Sequence, residues 1–306
     1  MTSSLRLISL LACARLACAL LSCTLLACAP DLSPPATLVD HPRVLAVLAE
    51  PPEARPGDRA VFRVLLATPT GEESASSTAW SFCAQPPPLG SNAPVDPACA
   101  QDQPPIATGA AASLALPSNG CSRFGPVAAS DHPRAQDADP TGGYFQPVRV
   151  SLADQLAFAF ERLRCPLAQA SLAASQEFER RYTSNTNPRL LSLDAAPTAP
   201  AGEPSTVPAG TSVTLTVRWT PDSAEAFPLF DPPTQTFTDV TEELTTSWYA
   251  SAGAFDAALT ADSGAQSSNR WTAPAAPGTV YVWAVVRDSR GGTASLSRTL
   301  TVPEPP

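Results

Sequence analysis

Residues 278–292 read Gly278-Thr279-Val280-Tyr281-Val282-Trp283-Ala284-Val285-Val286-Arg287-Asp288-Ser289-Arg290-Gly291-Gly292. β-Branched and aromatic residues dominate the run, and its Ser-Arg-Gly-Gly end supplies the φ > 0 positions of a tight hairpin. Residues 279–288 and 293–302 are therefore expected to pair as antiparallel strands. Upstream, Gly210-Thr211-Ser212-Val213-Thr214-Leu215-Thr216-Val217 alternates polar and apolar residues with period two, the pattern of a half-buried strand. Composition points the same way. There are 35 prolines in 306 residues, and each proline inside a helix costs roughly 3 kcal/mol. Met stands only at position 1, Ile only at 8 and 106, and Lys nowhere, so all 19 basic residues are Arg. Leu, Val and the aromatics must build the core.

The strand pattern occurs twice. Pro42-Arg43-Val44-Leu45-Ala46-Val47 is echoed by Pro188-Arg189-Leu190-Leu191-Ser192-Leu193, and Gly57-Asp58-Arg59-Ala60-Val61-Phe62-Arg63-Val64 by residues 210–217. An aromatic segment follows in each half, Ala79-Trp80-Ser81-Phe82-Cys83 and then Ser247-Trp248-Tyr249, and each half closes on a strand pair, 147–152 with 156–165 and 279–288 with 293–302. Short strands with turn signals and no helical crossovers imply an antiparallel sandwich in each half. Between the halves, residues 167–182 hold no Gly or Pro and form the one good helix candidate. Phe178 and Tyr182 lie one turn apart for docking, Arg180 and Arg181 suit the helix C-terminus, and Ser184-Asn185-Thr186-Asn187-Pro188 ends it.

Residues 1–27 carry two arginines, Arg6 and Arg15, and no acid, followed by an apolar stretch at 16–27. Those twelve residues are too few for a bilayer, which takes about 20, so a secretion signal is expected and not a membrane span. Leu25-Leu26-Ala27-Cys28 resembles the lipobox of bacterial lipoproteins, and the resemblance implies acylation at Cys28. Leu20-Leu21-Ser22-Cys23 is a competing match, and an ordinary cleaved signal is the plainer alternative. Ala29 after the cysteine, by the same resemblance, implies sorting to the outer membrane. Without residues 1–27, 17 arginines face 28 acids, a net charge of −11. Such a surface repels phosphate backbones, so no nucleic-acid partner is expected.

Trp271-Thr272-Ala273-Pro274, then Gly278-Thr279-Val280-Tyr281-Val282, then 286–292 resembles the end of bacterial immunoglobulin-like and PKD-like domains, over roughly 188–303. With the lipobox and the run 140–150, the chain resembles bacterial lipoproteins of myxobacterial type, a family with no activity to carry over. The resulting expectation is an all-β chain of two antiparallel immunoglobulin-like β-sandwiches joined by a short helix, after an N-terminal signal segment. Its divisions are a signal at 1–27, a tether at 28–37, sandwich 1 at 38–166 with an insertion at 84–143, a helical linker at 167–187, and sandwich 2 at 188–303. The tether is short, so sandwich 1 is expected beside the membrane and sandwich 2 farther out. The family pattern buries Val280, Val282, Ala284 and Val286. It turns Tyr281, Trp283, Val285 and Arg287 outward, where with Tyr249 they make a candidate platform for a sugar or peptide unless residues 221–244, sandwich 1 or the helix cover it.

Cys83, Cys99, Cys121 and Cys165 are an even number in an exported chain and imply two disulfides. Cys83–Cys99 with Cys121–Cys165 is favoured among three possible pairings. Metal on these thiols is not expected, because short C-x₂-C spacings are absent and the only histidines are His41 and His132. Asp137-Ala138-Asp139-Pro140-Thr141-Gly142 starts like a calcium loop, but Val148 stands where a bidentate Glu is required. Asp239, Glu242 and Glu243 read as a solvated turn, and Asp131-His132 has no nucleophile beside it. The expected function is accordingly a non-enzymatic, surface-anchored structural, adhesive or ligand-presenting module without cofactor. It would be held at the cell envelope by its N-terminal lipid and would meet a protein or glycan partner. A carbohydrate-binding accessory using Tyr249, Tyr281 and Trp283 is the alternative, and a hydrolase the remote one.

Overall fold

The computed structural model describes residues 35–88, 91–125, 143–153, 155–196, 205–261 and 264–304. Cys28, Asp131-His132 and the calcium-like run 137–142 lie outside them. The described residues from 37 onward form one compact unit.

Sandwich 1 contains β1 (Arg43–Glu50), β2 (Glu53–Ala54), β3 (Arg59–Thr68), β4 (Gly71–Glu73), β5 (Ala79–Phe82), β6 (Ala107–Thr108), β7 (Ala111–Ala115), β8 (Gly143–Leu152) and β9 (Gln155–Arg164). One sheet is β1-β3, with β4 and β7 end to end along the other edge of β3; the second runs β2-β9-β8-β5-β6. Sandwich 2 contains β10 (Leu190–Ala196), β11 (Ser205–Thr206), β12 (Ser212–Trp219), β13 (Ala226–Asp231), β14 (Thr236–Thr241), β15 (Thr245–Ala250), β16 (Ala254–Phe255), β17 (Leu259–Ala261), β18 (Gln266–Thr272), β19 (Gly278–Arg287) and β20 (Thr293–Val302). Its sheets run β10-β12-β18-β16 and β11-β20-β19-β15-β17, the division of strands found in immunoglobulin-like sandwiches.

The duplication extends to register. In both halves a two-residue strand joins the last strand in parallel, β2 to β9 and β11 to β20. Both first strands also carry an irregularity at the equivalent place, between Val44 and Ala46 and between Leu190 and Ser192. An extra residue in one strand turns two neighbours to the same face. Leu45 and Ala46 thereby both leave the core of sandwich 1 and join a separate buried cluster, while the matching Leu191 is 60% exposed.

Three tryptophans anchor the core of sandwich 2, Trp219, Trp248 and Trp271, around Val280, Val282, Ala284 and Val286. Buried indoles need partners for their N–H groups. Trp248 Nε1 donates to Thr260 Oγ1 at 2.7 Å and Trp271 Nε1 to the Ala252 carbonyl at 3.1 Å. Sandwich 1 has Trp80 alone, donating to the Gly109 carbonyl at 2.8 Å, with Phe62 6.2 Å away. The disulfides are Cys83–Cys99 and Cys121–Cys165. They tie the end of β5 to the 3₁₀ turn Pro97–Ala100, and the single-turn helix Gly120–Arg123 to the residue after β9.

Two expectations are corrected. The stretch 84–143 is not wholly an insertion, because β7 pairs along β3 as β18 pairs along β12. Ala111-Ala112-Ser113-Leu114-Ala115 has one large apolar side chain, too weak a strand signal to read. The helix is Leu172–Arg181, shorter than 167–182, because the Ser171 hydroxyl accepts from Ala174 N at 3.2 Å and starts it there. Phe178 and Tyr182 dock, as expected of that spacing, against the β13–β14 hairpin, and the Tyr182 hydroxyl also reaches Glu53 of β2 in sandwich 1.

A polar pair interrupts the core of sandwich 1. Gln146 of β8 and Glu161 of β9 stand directly opposite each other and are buried. The Gln146 amide donates to the carbonyls of Cys83 and Pro147, but its Oε1 and both Glu161 carboxyl oxygens accept no hydrogen bond. Burial, followed by the Glu53 and Glu50 carboxylates, pushes Glu161 up to about 8. The folded chain then holds a proton that the unfolded chain releases near pH 4.5. Its stabilisation is complete below about 4.5 and is lost as pH rises through about 8. Glu161→Gln keeps the shape without the ionisation. Chemical denaturation from pH 5 to pH 9 is expected to show the variant gaining on the wild type with rising pH, by on the order of 4 kcal/mol across the range. A constant difference would contradict a buried, unpaired acid.

Candidate functional site

The predicted platform of Tyr249, Tyr281, Trp283 and Arg287 is the natural place to look for function. Strand alternation does aim these side chains away from the core of sandwich 2. They are nevertheless covered. Trp283 is fully buried, and Tyr249 and Tyr281 are half-buried, in a cluster with Val39, Leu45, Ala46, Leu65, Ala67 and Val285. Sandwich 1 is the cover: the outer face of β1 and β3 lies on the outer face of β15 and β19. Residues 221–244 do not reach it, since their hairpin packs on the helix Leu172–Arg181 instead. The expected ligand platform is thus the seam between the sandwiches.

Polar contacts along its edge fix the register of the two faces. Arg287 donates to Ser247 Oγ at 3.1 Å and to the Leu45 carbonyl at 3.3 Å. The guanidinium of Arg43 lies 5.5 Å from the Tyr249 ring centre, a cation–π contact. Gly71, with φ +124°, turns β3 into β4 against Tyr281, where a β-carbon would lie 3.3 Å from the ring. Before β1, the backbone of Thr37–Val39 ladders onto Ala250 at the end of β15, with two hydrogen bonds of 2.9 Å.

The linker after the helix forms the other half of the seam. Tyr182 is pushed up to about 12 by burial, so it keeps its proton and donates to Glu53 Oε2 at 2.7 Å. Asn185 N donates to the same oxygen at 2.9 Å, and its amide donates to Asp288 Oδ1 at 3.1 Å. Asn187 donates to the Ala49 carbonyl at 2.7 Å and accepts from Thr293 N at 2.8 Å. Two asparagines that read from sequence only as a helix stop therefore join β1 and β2 to the β19–β20 hairpin.

Arg290 was legible only as a turn residue, yet it is 1% exposed. Its Nε and Nη2 donate to Glu242 Oε1 and Glu225 Oε2, each at 2.5 Å, and its Nη1 to the Thr183 carbonyl at 2.9 Å. The guanidinium lies between the rings of Phe227 and Tyr182, at 4.9 and 5.4 Å. Burial and the nearby Asp288 carboxylate raise Glu242, and the Arg290 hydrogen bond opposes them. Glu242 is therefore a buried ion-pair partner and not part of a solvated turn. Asp239 pairs with Arg181 at 2.6 Å, and Glu243 is exposed. A buried cation held by two carboxylates, a backbone carbonyl and two rings locks the linker after the helix onto the β13–β14 hairpin. Among the described residues no cluster of His, Cys, Asp and Glu could hold a metal ion.

No protein-family model matches the chain, and no curated protein matches it in sequence. Solved structures similar in strand arrangement include the D00-D0 domain of intimin, 9% identical over 85% of this chain and 100% of that one, with a TM-score of 0.26. The Yersinia pseudotuberculosis adhesin InvE is 11% identical over 83% and 58%, with a TM-score of 0.23. Domains 4 and 5 of the S-layer protein SbsC are 7% identical over 86% and 98%, with a TM-score of 0.20. At these identities the likeness concerns fold alone.

Removing one partner of a buried ion pair leaves the other charge uncompensated, at about 3–5 kcal/mol. Arg290→Met is expected to lose that much in chemical denaturation, and adding Glu242→Gln should restore part of it. Simple additivity of the two changes would show that the pair is not coupled.

Proposed function

We propose that the chain is a non-enzymatic lipoprotein of the cell envelope, anchored through Cys28 at the outer membrane, and that its two immunoglobulin-like sandwiches work as one stiff structural or adhesive module toward a protein or glycan partner. The observation that carries this reading is the burial of both faces of β19. Val280, Val282, Ala284 and Val286 close one core, while Trp283 and Val285 close the seam. A stalk that bears load between a membrane and a partner needs such a seam, because a Gly/Ser linker would let the two halves move independently. Tyr249, Tyr281 and Trp283 are engaged in that contact, which weighs against the sugar-binding alternative that would have used them.

Feeding cells a palmitate analogue is expected to label the wild-type chain and not Cys28→Ser; a labelled variant would refute Cys28 as the anchor. Spin labels at exposed Arg59 and Ser212 should report a single narrow distance that broadens in Trp283→Ala. A broad distribution in the wild type would remove the stiff-module reading.

A further inference from the structure

One long edge of sandwich 1 is left without a neighbouring strand. In its sheet β9 lies between β2 and β8, and β2 covers only Arg162 and Leu163, so residues 156–161 meet no strand on that side among the described residues. β1 runs nearby in the other sheet, but a cavity of about 280 Å³ separates the two strands. The Gln155 side chain bridges them at one end, accepting from Val44 N at 3.2 Å and donating to the Pro42 carbonyl at 2.8 Å. Residues 155–160 read Gln-Leu-Ala-Phe-Ala-Phe. Edges that stay single are usually guarded by a charge, a proline or a bulge, and this run carries none of the three.

Register decides which side chains this edge presents. Leu156, Phe158 and Phe160 stand opposite Ser151, Arg149 and Pro147 on the outer face of the sheet, whereas Ala157 and Ala159 stand opposite the core residues Val150 and Val148. Phe145, Leu156 and Phe160 are 37%, 40% and 41% exposed. The equivalent strand of sandwich 2 is built differently. β20 is likewise met by a two-residue strand only at Leu300 and Thr301. Its outward positions, however, are Ser295, Ser297 and Thr299, and Arg298 Nη1 donates to the Leu193 carbonyl of β10 at 2.8 Å, across the corresponding gap. Of the two duplicated edges, one is polar and tied down and the other is apolar and open.

We propose that the β9 edge pairs with β9 of a second copy of this chain, antiparallel about a two-fold axis at Phe158, and joins two sheets into one. The strand is its own complement in that register. Leu156 meets the partner's Phe160, Phe158 meets the partner's Phe158, and Ala157 meets the partner's Ala159, so apolar groups face each other on both sides of the new sheet. Charge argues for the same occupant. The chain carries 19 basic against 28 acidic residues, so two copies repel over most of their surface, and an uncharged strand is where they can approach. The edge also continues the seam, since Leu45 and Ala46 line the cavity beside it. Phe145, Leu156 and Phe160 leave on the order of 200 Å² exposed per copy, well short of the roughly 1,200 Å² in total of a stable complex, so the dimer is a reversible one. The pairing stands independently of the role proposed for the module as a whole.

The test is sedimentation velocity of the full chain over a concentration series up to about 200 µM, where a monomer–dimer equilibrium is expected. Leu156→Glu and Phe160→Arg alter exposed side chains and leave the core face of β9 intact, so both should fold, as near-ultraviolet dichroism will report. Each alone is expected to weaken the dimer about tenfold. The double variant sets Glu opposite Arg at both ends of the paired strands and should recover about fivefold over either single change. Ser297→Arg, on the equivalent face of β20, should leave association unchanged. A wild-type chain that stays monomeric, oligomers larger than the dimer that a two-fold axis closes, an undiminished dimer in folded Phe160→Arg, or a double variant no stronger than the singles would each overturn the proposal.

Discussion

The architecture rests on one strand that has no solvent face. From Val282 to Val286 every residue of β19 is buried, because alternation hands successive side chains to two different apolar environments. A strand in an antiparallel sheet commonly faces water on one side. Here that side is taken by β1 and β3, and Trp283 is its largest element. An aromatic side chain buries about 150–250 Å², so exposing this face would place a large apolar patch in water. The two sandwiches are therefore bound to each other by the same effect that folds each of them.

The apolar seam supplies affinity between the halves, and the polar contacts around it supply geometry. Glu53, Tyr182, Asn185, Asn187, Asp288 and Arg290 each meet a partner fixed by hydrogen-bond direction, which an apolar contact alone does not specify. Desolvating these groups is costly, so the network adds less stability than its number of bonds implies. Its value lies in holding one relative placement of the sandwiches. The repeated irregularity in β1 and β10 shows how duplicated halves came to differ in use. The same backbone feature turns Leu45 and Ala46 into the seam and leaves Leu191 exposed.

Much of this was legible beforehand. The period-two runs, the hairpin at 289–292, the echo between the halves and the favoured cysteine pairing all depend on local pattern or on chain separation, and each has its counterpart in the folded chain. The candidate site was legible only in part. Alternation correctly placed Tyr281 and Trp283 off the core of sandwich 2, but period two says which face a side chain takes and not what lies against it. Strand β7 was missed because alanines carry almost no signal, and Asn185, Asn187 and Arg290 because polar residues near turns ordinarily face water.

The sequence by itself determined the all-β class, the two halves, the disulfide cysteines and the inward or outward sense of β19, since each follows from neighbours along the chain. Only the tertiary structure decided that the outward aromatic face is a seam, that Arg290 is buried between carboxylates and rings, and that Glu161 stands unpaired beside a cavity. Those outcomes depend on contacts between residues such as Leu45 and Trp283 or Glu53 and Tyr182. More than a hundred positions separate the members of each pair, and no local pattern records which distant surface will supply the partner.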